Sequence, residues 1–397
     1  MVVVSSFDVA VVGTGVPGLA VALGFAQQRL NVALIGPRPA PHAATRAEQF
    51  DSRIYAVAPG SVALLEGLGV WASVDQQRIS PVEHMRVFGD EGQPLTFDAY
   101  SATVERLATI VEESELLRVL DAACGFQPAI ARIQSSFHSF AAQPDSLTIH
   151  LDDSRPLTAR LLVGADGASS AVRAAAGINA IVKPYDQTAI VANFACDRPH
   201  LNTAWQWFTD EGVVALLPLP GAHVSLVWSA PAPLALELAA LSADQQARRV
   251  SERCVSTAGE SNAVGTLTAT GAAQSFPLRR ITVSRLIGPR LALVGDAAHV
   301  VHPLAGQGLN LGLQDVALLL EAVRAREAFR DVGDAAVLRR YERGRAEALG
   351  LMGFTTDALA QLFAFDDPLV RRLRNAGLAA VNRLSPLKNA LIRRALG

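Results

Sequence analysis

Residues 7–18 read FDVAVVGTGVPG, an apolar run from Phe7 to Val12 that breaks into Gly13-Thr14-Gly15-Val16-Pro17-Gly18. An apolar run of this length suits a strand buried on both faces of a parallel sheet. The apolar segment Leu19 to Ala26 follows it, and Asn31 to Ile35 supplies a second apolar strand. Strand, glycine turn, helix and strand in this order make the unit that binds dinucleotides. Gly13 permits the tight turn, Gly15 lets backbone approach a pyrophosphate, and Gly18 lets helix pack closely on strand. The helix amino terminus offers unpaired N–H groups to the anion. The unit has one gap. Where an acidic residue ordinarily accepts hydrogen bonds from the adenosine ribose, Ile35 is followed by Gly36, Pro37 and Arg38. Glu48 and Asp51 lie too far along the chain to be assumed substitutes.

The rest of the composition narrows the class. A chain of 397 residues is too long for one compact core and suits two domains. Half of the residues are hydrophobic and 18% charged, which excludes disorder as the main state. With 35 basic and 37 acidic side chains there is no global field for a nucleic-acid partner. Cys124, Cys196 and Cys254 are widely spaced without a CxxC pair, as expected for reduced thiols of a cytosolic protein, without zinc or a disulfide framework. No basic secretory start follows Met1. The run from Gly212 to Leu236 carries no Asp, Glu, Lys or Arg and matches a bilayer in length. Pro218, Pro220, Pro231 and Pro233 interrupt it, and Pro220-Gly221 predicts a turn between two buried strands. The chain reads as soluble.

Two later motifs have the same strand-to-turn character. Residues 161–173 read LLVGADGASSAVR, a strand running into an Asp-Gly turn and a helix start. Residues 291–299 read LALVGDAAH, and 302–310, HPLAGQGLN, lead into a helical pattern with Leu313, Val316, Ala317 and Leu320 on one face. Glycines in that last loop let a flat ring approach the backbone, and the positive end of the following helix would stabilise an anionic reduced ring. His299 and His302 lack Cys or carboxylate partners at metal-binding spacing, so no metal is expected.

Together, in this order, the GxGxxG, DG and GD elements resemble the flavoprotein aromatic hydroxylases. Within that superfamily, FDSRIYAV at 50–57, Ser61, LGVW at 68–71, HPLAGQGLNLGLQD at 302–315, LRNAGL at 373–378, PLK at 386–388 and ALG at 395–397 look like the ubiquinone-biosynthesis branch. The likeness covers nearly the whole chain, weakest at about 130–157 and 234–270. Gly36 is its clear departure, since the family has Glu there. Restoring that acid by Gly36→Glu is expected to tighten cofactor binding.

The resemblance implies an α/β fold: an FAD-binding Rossmann-like domain of the aromatic hydroxylase type, an inserted mostly β substrate domain and a helical carboxy-terminal tail. Gly13, Gly15 and Gly18 would hold the FAD pyrophosphate. Arg53 would lie against the flavin or its phosphates, and Asp296 would bond the ribityl or pyrophosphate region. Asp166 and Gly167 would sit near the pyrophosphate and the NAD(P)H approach. Pro303, Gly306, Gln307, Gly308, Leu309 and Asn310 are assigned to the cofactor, the last five around the isoalloxazine ring. The implied reaction is hydride transfer from NAD(P)H to FAD, formation of a flavin C4a-hydroperoxide with O2, and attack on an electron-rich ring. The expected substrate is a hydrophobic polyprenylated phenol. No catalytic acid or base is named, and no second Rossmann unit for the nicotinamide is visible.

The expected boundaries are 1–78, 158–180 and 284–330 for the FAD domain, 79–157 and 181–283 for the substrate domain, and 331–397 for the tail. Substrate-domain strands are read at His84–Phe88, Trp205–Phe208, Val213–Leu217 and His223–Trp228, with a helix from Val111 to Leu120 crossing between domains. The segment from Arg371 to Gly397 has seven basic and no acidic side chains. It either rests on an anionic membrane, placing a cytoplasmic protein peripherally on the inner membrane or in a quinone-biosynthesis complex, or packs as a solvated helical pair. Three rivals stay open, one of them a simple flavin dehydrogenase. Trp205-x-Trp207 is similar to an element of flavin-dependent halogenases, although Phe208-Thr209 follows it. Gly36 also permits an accessory subunit with decayed flavin binding, against which the intact Asp166, Asp296 and Gly306–Asn310 elements argue.

Overall fold

The computed structural model describes residues 5–39, 49–89, 94–152, 156–254, 264–302, 307–346 and 350. The strand Ser5–Val12 lies at the centre of an eight-stranded sheet, with Val9, Ala10 and Val11 fully buried. It pairs in parallel with Val32–Ile35 on one side and Leu157–Gly164 on the other. Leu291–Leu293 and Ile130–Ile133 extend the parallel part outward. Burial on both faces explains why the inner stretches Val9–Val12, Val32–Ile35 and Leu161–Val163 are apolar throughout, while Asp8, Arg160 and Arg132 stand where the strands reach solvent. Helix Val16–Gln27 covers the sheet and is apolar all round because Glu113–Gly125 and Gln307–Arg324 enclose it in turn.

The parallel pairing brings the three motifs to one edge. Gly13 N donates to Ile35 O, Ala165 N to Val12 O, and Val294 N to Gly164 O, at 2.9, 2.8 and 2.9 Å. The chain therefore leaves three neighbouring strands side by side, at the carboxyl ends where such sheets bind ligands.

A nine-stranded sheet forms the second body, with the long strand Ala180–Cys196 beside His223–Pro231. Gly212–Leu219 and His223–Pro231 pair antiparallel, so the charge-free run is a buried hairpin turning at Pro220-Gly221. Among the described residues no helix is long and apolar enough to cross a membrane. Helices Ala232–Ala240 and Ala243–Arg253 cover one face of this sheet, over Trp205, Trp207 and Trp228. Ser242 and Gln245 close the second of these helices with reciprocal side-chain-to-backbone hydrogen bonds. A three-stranded sheet of Ile54–Val57, Ala108–Glu112 and Ser80–Val82 packs on the larger sheet through Leu219 and Ala204.

The strand pairing divides the chain differently from the sequence reading between 113 and 151. The segment read as a crossing helix from Val111 to Leu120 is the end of a strand followed by helix Glu113–Gly125. Leu116, Val119, Leu120 and Cys124 of that helix enter the core of the first sheet. Ile130–Ile133 then pairs with Val32–Ile35, and the hairpin Phe137–Ala142 with Leu147–Leu151 extends from Leu157–Gly164. These residues had been grouped with 79–157 as substrate domain. Ile130–Ile133 has four residues, one of them Arg132, and its partner strand lies about a hundred positions earlier, so neither period nor proximity announced it.

After the helix Gln307–Arg324, residues 335–346 form another helix, anchored by Tyr341, whose hydroxyl donates to Leu293 O at 2.6 Å. The basic segment 371–397 lies outside the described residues.

Candidate functional site

The glycine turn is fitted to its neighbours by missing side chains. A Cβ on Gly13, where φ is +118°, would lie 2.1 Å from the Ala165 carbonyl oxygen, and one on Gly18 would lie 2.1 Å from the Gly13 oxygen. Both positions exclude any other residue. Gly15 differs, since a Cβ there would meet nothing within 4 Å. Its backbone fronts open space at the amino end of helix Val16–Gln27, the cradle that a pyrophosphate requires.

Asp166 sits at this turn, but its carboxylate is engaged locally. It accepts from Ser170 Oγ at 2.5 Å and from Val172 N at 3.1 Å, which caps the short helix Ala171–Ala175. Gly167 beside it has open space around its Cβ position. Arg173, buried in that helix, donates to Ala297 O and Ala168 O at 2.9 and 2.8 Å. One guanidinium thus ties the DG turn to the GD turn, a link the sequence reading missed.

Asp315 fixes the GD turn more firmly. This carboxylate is fully buried and accepts from Gly295 N at 2.8 Å. It accepts from His299 Nε2 at 2.7 Å and from Arg345 Nε at 2.5 Å. Arg345, 1% exposed, also reaches Gln314 Oε1 and Leu311 O. Three segments therefore meet on one side chain, and every buried charge has partners. His302 has a separate partner, Gln187 Oε1 at 2.8 Å.

Arg53, just before strand Ile54–Val57, and Asp296, in the single turn Gly295–Ala297, come into the same neighbourhood. Arg53 Nη1 lies 3.3 Å from Glu113 Oε1, which also accepts from the Tyr55 hydroxyl at 2.9 Å. Its guanidinium stands 5.4 Å over the Phe276 ring. Asp296 keeps solvent access although protein surrounds much of it. Burial raises its pKa above 3.8, while His299 and Arg53 pull the other way. Burial and Glu113 raise that of the Tyr55 phenol, which stays protonated. The segment before Arg53 is held from two sheets, the nine-stranded and the three-stranded: Asn193 Nδ2 donates to Asp51 O at 2.8 Å, and Glu112 accepts from Asp51 N at 2.6 Å. Asp51 itself accepts from Ser114 N, so it serves a helix start.

The ring loop is reached only in part. Pro303 and Gly306 lie outside the described residues, and Gln307 opens the helix. Gly308 is half-buried. Leu309 packs into the core of the first sheet. Asn310, 1% exposed, accepts from Ala58 N and donates to Ala56 O, both at 2.8 Å. Its amide joins the helix to the strand after Arg53, and any contact of Leu309 or Asn310 with a ring falls to backbone. Trp205 and Trp207 are core residues under the covering helices, Trp207 stacked on Phe88 at 5.4 Å, which accounts for the Trp-x-Trp pair without a halogenase site.

The family model described as FAD binding domain matches residues 6–350. The 3-demethoxyubiquinol 3-hydroxylase of Escherichia coli is 34% identical, over 98% of each chain. The ubiquinone hydroxylase UbiL of Rhodospirillum rubrum is 35% identical, over 98% of this chain and 89% of its own. Among solved structures, PqsL, a probable FAD-dependent monooxygenase from Pseudomonas aeruginosa, superposes with a TM-score of 0.78 at 23% identity, over 95% of this chain and all of its own. This chain belongs to the FAD-dependent hydroxylases of ubiquinone biosynthesis. It is an FAD-dependent aromatic monooxygenase, and the residues present fit that cofactor: open space before the Gly15 backbone at a helix amino terminus, an Arg53 held by Glu113, and the Asp296 carboxylate as a charged neighbour of Arg53.

Two outcomes follow for this hydroxylase. Asp315→Asn leaves Arg345 buried without its counter-charge and is expected to cost about 3–5 kcal/mol of stability; a urea-unfolding loss below 1 kcal/mol would contradict the network. Asp296 has a raised folded pKa, so the flavin-free protein loses stability as pH rises above the unfolded value of about 3.8. Asp296→Asn is expected to remove that loss, making the apo-protein more stable at pH 7 while it retains less FAD. Melting curves from pH 4 to 7, with and without FAD, check both signs.

Proposed function

We propose that this enzyme hydroxylates the aromatic ring of a polyprenylated phenol on the route to ubiquinone, taking oxygen from O2 and electrons from NAD(P)H. The observation that carries the reading is full-length identity of about a third to relatives named for ubiquinol or ubiquinone hydroxylation. Bound FAD supplies the redox chemistry that activates O2. The reaction balances as ArH + O2 + NAD(P)H + H+ giving ArOH + H2O + NAD(P)+.

The chain's part is binding, orientation and exclusion of water. The glycine turn would hold the pyrophosphate by backbone N–H groups, with Arg53 and Asp296 positioned beside the rest of the cofactor. A phenol activates its own ring, so no protein nucleophile is required. The cysteines offer none: all three are buried free thiols, and burial pushes Cys124 up to about 12. The basic composition of 371–397 supports contact with an anionic membrane surface, where a polyprenylated substrate resides.

Incubation of the FAD-loaded enzyme with NADH or NADPH, 18O2 and a short-chain prenylated phenol tests the reading. The expected product carries one hydroxyl more, with its oxygen from 18O2. An oxidised product without the label would make the enzyme a dehydrogenase, and NAD(P)H consumption without any product would exclude this substrate class.

A further inference from the structure

The second strand ends in a conformation that forbids the usual remedy for its missing acid. Gly36 has φ +146°, and a Cβ there would lie 3.2 Å from Thr14 Cγ2. A side chain at this position is strained, so the expected gain from Gly36→Glu is withdrawn. Gly36 N is held by Ile133 O at 3.1 Å, and Thr14 Oγ1 donates to Pro37 O at 2.7 Å. That second bond runs from inside the Gly13–Gly18 turn to the peptide preceding Arg38. The chain from 36 to 38 is thus tied both to the pyrophosphate turn and to the next strand.

A carboxylate reaches the same edge from another element. Asp121, on helix Glu113–Gly125, is anchored by Arg132, whose Nη1 lies 2.5 Å from Oδ1 and whose Nη2 donates to the Asp121 carbonyl at 2.6 Å. Arg132 is on strand Ile130–Ile133, in register with Leu34. Cys124, one turn later on the helix, bonds the Leu19 carbonyl at 3.5 Å, so this part of the helix lies over the first turn of Val16–Gln27. The second oxygen, Oδ2, stands 3.7 Å from Arg38 Nε, whose side chain is 65% exposed. Oδ1 is therefore committed to Arg132, while Oδ2 faces a loose, solvent-facing partner at the end of the second strand.

A dinucleotide with its pyrophosphate on the Gly13–Gly18 turn extends its adenosine half over the end of the second strand. Resting on the FAD reading, we propose that Asp121, held by Arg132, accepts the hydrogen bonds of the adenosine ribose, and that Arg38 closes over the same sugar from the solvent side. The acid comes from the helix because the strand end holds a backbone conformation that L side chains rarely adopt. An ion pair with Arg38 at this spacing is weak and exchanges readily for a hydroxyl donor. A hydroxyl on a charged acceptor is a strong hydrogen bond, so its loss is large on an affinity scale.

Flavin-fluorescence titrations of apo-enzyme with FAD and with FMN, which lacks the adenosine, separate this site from the rest of the cofactor pocket. For Asp121→Asn we expect FAD affinity to fall tenfold or more with FMN affinity unchanged. Arg38→Ala, at a mainly exposed side chain with no folding burden, is expected to weaken FAD several-fold and FMN not at all. Unchanged FAD affinity in Arg38→Ala and Asp121→Asn, or an equal loss for both flavins, would overturn the assignment. Wild-type enzyme that takes up neither flavin would overturn the FAD reading itself, and this inference with it. Gly36→Glu is expected to bind FAD no better than wild type; tighter binding would return the ribose to the strand end.

Discussion

One buried carboxylate holds the late half of the cofactor site in place. Asp315 gathers the Gly295 amide, the His299 ring and the Arg345 guanidinium around two oxygens, all sequestered from water. Bringing an acid and an arginine into the interior costs several kcal/mol each unless both are fully paired, and here they are. The consequence is positional. The GD turn, the helix that begins at Gln307 and the helix at 335–346 cannot shift independently, so Asp296 is delivered to a fixed place.

The early half of the site is positioned by contact rather than by charge. Gly13 and Gly18 let three backbones approach to distances that any side chain would prevent, which is how the glycine turn and the DG turn share one edge. Arg173 then joins the DG turn to the GD turn, and Asn310 joins the late helix to the strand that carries Tyr55 and follows Arg53. Segments more than 250 positions apart are thereby joined. Polar side chains bonded to backbone carry most of these links.

How much of this was legible depended on whether the signal was local. Residues 7–35 were read as observed because buried parallel strands leave apolar runs and the glycine turn has a steric signature. The strand Ile130–Ile133 was missed because four residues containing Arg132 show no period. Asp315 and Arg345 were missed because a charge within an amphipathic pattern reads as solvent-facing, and only tertiary pairing shows it to be interior. The sequence assigns Asp166 to the cofactor; its local bonds to Ser170 Oγ and Val172 N, at the start of a helix, were not legible. The absence of an acid at Gly36 was legible; the backbone conformation that explains it was not.

The central claim is that these segments form a working flavin site in spite of Gly36. The visible absorption spectrum of the purified protein, recorded during FAD titration and then after anaerobic NAD(P)H and readmission of O2, tests it most directly. The account predicts a saturable bound-flavin spectrum that bleaches with NAD(P)H and returns with O2. A folded protein that takes up no FAD at high concentration would contradict it.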